Sequence, residues 1–364
     1  MPGVRRRQGR FREELRLIGN PGFDRLAILA REAGFQRAAV VDQRLLRPWA
    51  RRIQSLRRQG SLDREPLRGL EWDWILDPSS WSGSQSILVC CMSCFRSEPD
   101  DLSLPGDPHA LVAPFARAHY YRSAQHLLRG LAARLEREFG IPWRASRLFS
   151  NSRIPEKPLL AATGIGTYGR NGCCLVPGLG SLFIIAGAVI PIASRDLPPA
   201  DAEPVADPCG SCEMCMKACP VQAIVEPGVV DPDRCLQGLA GTARPMPDGL
   251  RETWGTRLYG CQECQSACPH NRALNEPAPA AVGEIGPSIS LRRLLRLDAE
   301  EWKDLFRGTA MGVSWISHEA LLRNTLVAAG NRRDASLRDD VGRHAHCSSP
   351  MIRDTALWAL SRLP

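Results

Sequence analysis

Seven cysteines gathered into two short runs constrain this chain more than any other feature. Cys209, Cys212, Cys215 and Cys219, followed by Pro220, spell C-x2-C-x2-C-x3-C-P, the run by which bacterial two-cluster ferredoxins hold 4Fe-4S clusters. Cys261, Cys264 and Cys268 with Pro269 repeat it without the first cysteine. The missing thiolate is assigned to Cys235 in the connecting segment, so that eight ligands serve two 4Fe-4S clusters. In this motif the fourth cysteine crosses to the other cluster, which puts Cys209, Cys212, Cys215 and Cys268 on one and Cys219, Cys235, Cys261 and Cys264 on the other. Structural zinc is the bland alternative, since it too takes four thiolates from paired CxxC elements. Two triplets that each end in Cys-Pro suit cluster-binding turns better.

The chain has 14 cysteines in all, and where they reside decides what they mean. Arg5, Arg6, Arg7, Arg10 and Arg12 are not followed by the apolar stretch of a secretory leader, so a cytoplasmic protein with reduced thiols is expected. The most apolar run, Leu182 to Ala193, contains Pro191 and is shorter than the roughly 20 residues a spanning helix needs; no membrane segment is expected. Cys90, Cys91, Cys94, Cys173, Cys174 and Cys347 are read as small buried hydrophobes. The excess of 47 Lys+Arg over 39 Asp+Glu suits a polyanionic partner.

With 364 residues, 44% hydrophobic and 24% charged, the chain is neither a disordered tail nor a fibrous repeat, and it has room for two or three domains. Helical spacing of Leu26, Leu29, Ala30 and Ala33 leads through Gly34 into the strand-like Ala38 to Val41. Ser86 to Phe95 and Leu182 to Ile190 read as buried strands, and His119 to Phe139 as a helix. This alternation predicts an α/β domain over residues 1–195. A linker rich in Pro, Ala and Asp, Asp196 to Pro208, opens a ferredoxin-type segment, 196–285. Residues 286–364 form a helical tail with an internal repeat of 30 residues, Leu321 to Ala329 on Met351 to Ala359, which suggests stacked hairpins of HEAT type.

Gly164, Gly166 and Gly169 spell GxGxxG. A dinucleotide site is a weak reading, because Pro158 to Thr163 looks helical and no acid lies near position 189 to hold a ribose. A backbone loop close to another flat cofactor is the functional reading, and a plain tight turn the bland one.

Taken together, these stretches resemble the epoxyqueuosine reductase family, iron-sulfur and cobalamin enzymes that complete the queuosine base of tRNA. The carriers are Gly164 to Asn171, the eight cysteines, Arg257 to Cys264, Leu322-Arg323-Asn324 and Ser349 to Arg353. The resemblance implies an N-terminal cobalamin-binding domain similar to flavin nitroreductases and cobalamin-processing proteins, then the ferredoxin domain, then a tail that helps grip tRNA. It further implies an external electron donor, clusters that pass electrons to a corrin, and loss of the epoxide oxygen as water. Gly164, Gly166, Gly169, Gln237 and Gln262 are nominated beside the corrin; if tRNA is the substrate, Arg323 and Arg353, or neighbouring Arg332 and Arg333, should contact its phosphates, with helix capping or intra-repeat ion pairs as the bland alternative.

Departures from the family pattern fall on the substrate side. The family's general acid, an Asp six residues before a Glu, maps from Glu156 onto Ser150, with Asn151 beside it. Tyr120-Tyr121-Arg122 replaces an Asp-Tyr-His, and Leu236 to Gly241 replaces a polar stretch. Three functions are therefore carried forward. The first is an epoxyqueuosine reductase in which Glu156 or an ordered water replaces the acid. The second is a paralogue acting on another electrophile or corrinoid, and the third a non-catalytic tRNA-binding or electron-transfer protein.

Overall fold

A computed structural model describes residues 23–42, 46–60, 69–72, 86–140, 147–190, 207–272 and 274–364. The amino-terminal arginines and most of the 196–208 linker lie outside them. In chain order the first elements are α1 (Phe23–Glu32), β1 (Arg37–Asp42), α2 (Arg47–Arg58), β2 (Ser86–Ser93), β3 (His109–Val112), α3 (Tyr120–Phe139), β4 (Arg147–Ser150) and α4 (Glu156–Ala162). They are followed by β5 (Thr167–Tyr168), β6 (Cys174–Leu175), β7 (Phe183–Ile190), α5 (Met214–Ala218), β8 (Ile224–Glu226), β9 (Val229–Val230), α6 (Leu236–Ala240) and α7 (Asp248–Trp254). The rest of the chain forms β10 (Arg257–Tyr259), α8 (Glu263–Ser266), β11 (Ser288–Ser290), α9 (Leu291–Arg296), α10 (Ala299–Phe306), α11 (His318–Arg332), α12 (Arg338–Gly342) and α13 (Pro350–Arg362).

These elements make two compact units. One holds the chain up to Ser93 with 121–168 and 174–208; the other holds 94–120, 169–173 and 209–364. The first unit is built on a sheet of order β1-β2-β7-β4 in which every neighbouring pair is antiparallel. All eight residues of β2 are buried, as are seven of the eight in β7, which is why both read in sequence as unbroken apolar runs rather than alternating ones. Gly187 in β7 leaves no room for a side chain: a Cβ would lie 2.2 Å from the Leu88 carbonyl oxygen and 2.3 Å from the Phe149 ring. The α1 helix covers β1 and β2 with Leu26, Leu29 and Ala30 fully buried.

In the second unit β3 joins β10 in parallel and β11 antiparallel. One apolar core runs from Ala110 in β3 through Trp254 and Leu258 to Leu326 and Ile352 in the tail. The 30-residue repeat is real in space as well as in sequence. Its copies are α11 and α13, which pack on each other; a Cβ on Gly330 would sit 2.6 Å from the Trp358 ring. Thr325 and Thr355, at equivalent places, are both fully buried and donate to the carbonyls four residues back, Leu321 and Met351. Among the described residues no helix is long and apolar enough to cross a membrane.

The structure corrects one expectation for the tail. Arg323 does not face solvent, and so it does not meet phosphates: it is wholly buried. Its guanidinium donates to the backbone carbonyls of Leu239, Thr242 and Arg244 and to Oδ1 of Asn324. Burial pulls its pKa down to about 10, so it remains charged at neutral pH. Arg332 is likewise engaged, with Asp101 and the carbonyl of His109. Arg353 is exposed, although it donates to the Cys347 carbonyl. We predict that Arg323→Met lowers stability by about 3 kcal/mol or more, since each buried carbonyl left without a donor costs about 1–3 kcal/mol. Urea unfolding measures this, and a midpoint equal to that of the wild type would contradict the structural role.

Candidate functional site

The two cysteine runs fold as turns followed by very short helices. Cys212 N donates to Cys209 O at 2.8 Å, and α5 begins two residues later; Gln265 and Ser266 close the same turn onto Gln262 ahead of Cys268. The two helices within the runs, α5 and α8, lie against each other. The thiols of Cys209 and Cys268 act electrostatically on Cys215, and those of Cys209 and Cys212 act on Cys268. Cys264 is acted on by the thiols of Cys173, Cys261, Cys235 and Cys215. Burial is the largest cause raising the thiol pKa of Cys215, Cys261, Cys264 and Cys268, with the neighbouring thiols adding to it. Bound iron reverses this penalty, because a coordinating thiol is deprotonated outright. Cys219 Sγ accepts from Ala223 N at 3.2 Å, the kind of contact that tunes a cluster-bound sulfur.

Cys235 comes in from the N-cap of α6, its own N–H bound to Asp231 O at 3.0 Å. The turn is tight: a Cβ on Gly238 would lie 2.2 Å from the Pro232 carbonyl oxygen. Gln237 follows it, and its Oε1 accepts from Cys261 N at 3.3 Å while its side chain also hydrogen-bonds Tyr259. Gln237 thus ties Cys235 to the start of the second run. Gln262 donates to Asp100 at 3.3 Å, and the carboxylate of Asp100 is in turn paired with buried Arg117.

Sequence reasoning missed Cys173. It sits in a loop closed by Gly169 N to Cys173 O at 2.8 Å and Gly172 N to Gly169 O at 3.0 Å, with Asn171 Oδ1 accepting from Cys173 N at 3.1 Å. Arg170 anchors the loop, donating to Gly210 O and accepting from Gly228 N. Cys173 acts electrostatically on both Cys264 and Cys268, two cysteines of the second run. Nothing in its local spacing signals this, because the approach is made by a loop 91 residues before Cys264 and 95 before Cys268. Cys90, Cys91, Cys94 and Cys174 are buried, as expected; burial pushes the Cys94 thiol up to about 12 and Cys90 and Cys91 well above their usual range.

In the first unit, Ser150 ends β4 opposite Ala186. It is only 4% exposed, and its Oγ donates to Ile185 O at 3.3 Å. Asn151 is exposed with φ of 51°, a left-handed conformation that asparagine tolerates. The chain then turns so that Glu156, in the first turn of α4, accepts from the backbone N–H groups of Ser152, at 3.1 Å, and Asn151. These donors favour the carboxylate, but burial outweighs them and pushes its pKa up to about 8. Glu156 is consequently a carboxylic acid at neutral pH.

Each glycine of the GxGxxG run has a local reason. Gly164 takes φ of 75° just past the end of α4, the usual place for a helix-ending glycine, and a Cβ there would meet open space. Gly166 packs too closely for a side chain: a Cβ there would lie 2.8 Å from Val176 and 3.0 Å from the Leu175 carbonyl oxygen. Gly169 closes the Cys173 loop.

Residues 208–271 match the family described as the 4Fe-4S double cluster binding domain, and the stretch carries iron-sulfur clusters rather than zinc. The epoxyqueuosine reductase of Alicycliphilus denitrificans is 33% identical over 265 residues, 70% of this chain and 71% of that protein. Its counterpart from Xanthomonas campestris pv. campestris is 28% identical over 93% of this chain and 95% of its own. The fold is similar to that of epoxyqueuosine reductase from Bacillus subtilis, solved with its catalytic loop swung out of the active site (TM-score 0.77, 22% identity, 93% of this chain and 89% of that one). It is equally similar to an epoxyqueuosine reductase solved with an epoxyqueuosine-modified tRNA-Tyr stem loop (TM-score 0.75, 23% identity, the same coverage).

The ligand sets lead to a metal-content prediction. Anaerobically purified protein should carry about eight irons, and Cys235→Ala should retain about four, because only the second run lacks its own fourth thiolate. Iron analysis with electron paramagnetic resonance tests this; equal loss of both clusters would point to a different partition.

Proposed function

Because this chain belongs to the epoxyqueuosine reductase family, we propose that it reduces epoxyqueuosine in tRNA to queuosine, with electrons from an external donor passing through its two 4Fe-4S clusters. The observation that carries the reading is family likeness across nearly the whole chain, 93% of it in one relative, with the cluster ligands intact. We further propose the ligand partition given above, and residues 1–195, 196–285 and 286–364 as the cofactor-binding, electron-transfer and HEAT-like parts. The reaction takes two electrons and two protons: both C–O bonds of the epoxide break, a carbon–carbon double bond forms, and the oxygen leaves as water.

Cobalamin is the second cofactor in this reading. In the first unit the open space beside Gly164 is compatible with a large flat ring, and Gly164 and its neighbours would hold it; the nomination of Gln237 and Gln262 rests on the family resemblance. Bound cobalamin would supply a strongly reducing cobalt centre. A shift in the absorption spectrum of cob(II)alamin on adding the protein is the expected sign of binding.

Glu156 supplies a proton in this proposal. Ser150 cannot act as a carboxylic acid, and its hydroxyl is already committed to Ile185 O. Glu156 stands six residues on and holds its proton at neutral pH. General acid catalysis typically contributes about 10²- to 10⁴-fold. Activity should accordingly be retained below about pH 8 and fall above it, and Glu156→Gln should lower turnover by at least about 100-fold while leaving iron content unchanged. Stability should also fall with rising pH, but in a lower window than activity. The folded-state pKa is raised, so wild-type stability falls as pH climbs from about 5 to about 8, and Glu156→Gln removes that slope.

The deciding assay incubates reconstituted protein with cobalamin, a strong reductant and epoxyqueuosine-containing tRNA, and reads queuosine by nucleoside mass spectrometry. The buried Ser150 favours one second reading, a paralogue reducing another electrophile or corrinoid. That reading takes over if no queuosine forms while both clusters and corrin are bound.

A further inference from the structure

The chain's positive charge is not spread along it. Residues 1–70 contain 17 arginines against 7 acids, leaving 30 Lys+Arg against 32 Asp+Glu in the remaining 294 residues. The entire excess therefore sits at the amino-terminal end. The tail, where the resemblance places the grip on tRNA, has 12 Lys+Arg against 9 Asp+Glu, and several of its arginines are engaged within the protein. Besides the buried Arg323 and the paired Arg332, Arg296 binds Asp340, Arg307 binds Asp304 and Arg362 binds Glu252.

Within the basic end, the described element richest in arginine is α2, whose twelve residues RPWARRIQSLRR contain five arginines and no acid. Its inner side is used up by the fold. Leu46 at its N-cap and Ile53 are 0% and 3% exposed, and Ala50 and Leu56 pack on the same core as Ile87, Val89 and Phe149. Arg51, Gln54 and Arg58, at helical spacings of three and four, are exposed, and so is Arg57. Neither Arg51 nor Arg58 forms an ion pair among the described residues. Arg51 and Arg58 are seven residues apart, about 10 Å along the axis.

We propose that the exposed face of α2 binds the sugar-phosphate backbone of RNA, and that this helix rather than the tail supplies the main electrostatic grip. The inference rests on the tRNA reading only for the identity of the RNA. A polyanion is the complement of a face that carries arginine without acid, and guanidinium groups match phosphate in charge and geometry. An anionic membrane is the competing polyanion. A helix that lies on a membrane needs an apolar face to bury there, and the apolar face of α2 is already inside the domain.

The experiment uses the full-length, cluster-loaded protein and an unmodified tRNA transcript, with affinity measured over a series of salt concentrations. Charge reversal at Arg51 and Arg58 to Glu should weaken binding about tenfold or more near 0.1 M salt and flatten the log-log salt dependence by about two, one counterion per lost phosphate contact. Arg353→Glu in the tail should change affinity less than about twofold. Neutral substitution by Gln gives a smaller loss in the same direction if the Glu variant does not fold, with iron content and circular dichroism confirming the fold. Binding unaffected by either set overturns the proposal, as does a wild type that binds no RNA, or charge-dependent binding to phosphatidylserine vesicles without RNA binding. The substrate reading is judged separately. α2-dependent RNA binding without queuosine formation sinks that reading and leaves this one standing; queuosine formation with an indifferent α2 does the reverse.

Discussion

The segments that carry Cys235 and Cys261 are tied down by two adjacent side chains of one tail helix. Arg323 and Asn324 are both wholly buried in α11. Arg323 donates to the carbonyls of Leu239, Thr242 and Arg244, at and beyond the end of the helix that Cys235 begins. Asn324 donates to Ala240 in that same helix and to Leu258 in the strand that leads to Cys261. One dipeptide thus fixes both flanks of the second ligand set. Helix ends leave carbonyls without intrahelical partners, and a five-residue helix such as α6 has little else. Buried without these donors, it would be destabilised by the full desolvation of its polar groups.

This explains why the iron-sulfur segment and the tail share a core. Cluster-binding turns are made of cysteine, glycine, proline and polar residues, and they contribute few large apolar side chains. Trp254 and Leu258 lie in the same cluster as Leu326, Val327 and Ile352, so the apolar surface that holds the ligand loops is largely supplied by α11 and α13. Eleven of the fifteen residues of α11 are buried. A helix enclosed on all sides is a scaffold element rather than a surface for a ligand.

How much was legible in the sequence depended on how local the governing physics is. Thiolate spacing is local, so the double cluster stood out at once. Continuous apolar runs marked β2 and β7, and three-to-four periodicity marked α1 and α3, because burial of those elements imprints directly on the residue pattern. The 30-residue repeat was visible too, yet it misled at one point. Arg323 and Arg353 occupy equivalent positions, but one is wholly buried and the other exposed. The difference is made by whether carbonyls from a distant segment arrive to receive the guanidinium, and no periodicity encodes that. Cys173 was hidden for the same reason, being brought to the cluster thiols by a loop whose anchors, Gly210 and Gly228, come from another part of the chain.

The same distinction governs the proton-donor site. Ser150 as a departure from the family's Asp is plain in the sequence, whereas the acidity of Glu156 is set by competition between two backbone donors that favour its charge and burial that opposes it. Burial prevails. The direction has chemical meaning, because a carboxyl held as the neutral acid at neutral pH can give a proton to a leaving oxygen, whereas an ionised one cannot. In the proposed reading the acid moves from the end of a strand to the first turn of the next helix, on the same strand-turn-helix segment. It also exchanges a position whose side chain is engaged with the sheet backbone for one whose protonation the fold itself controls. Loss of the carboxylate at 150 is therefore compatible with retention of acid catalysis, since what the chemistry requires is a protonated oxygen on that segment rather than an aspartate at that position.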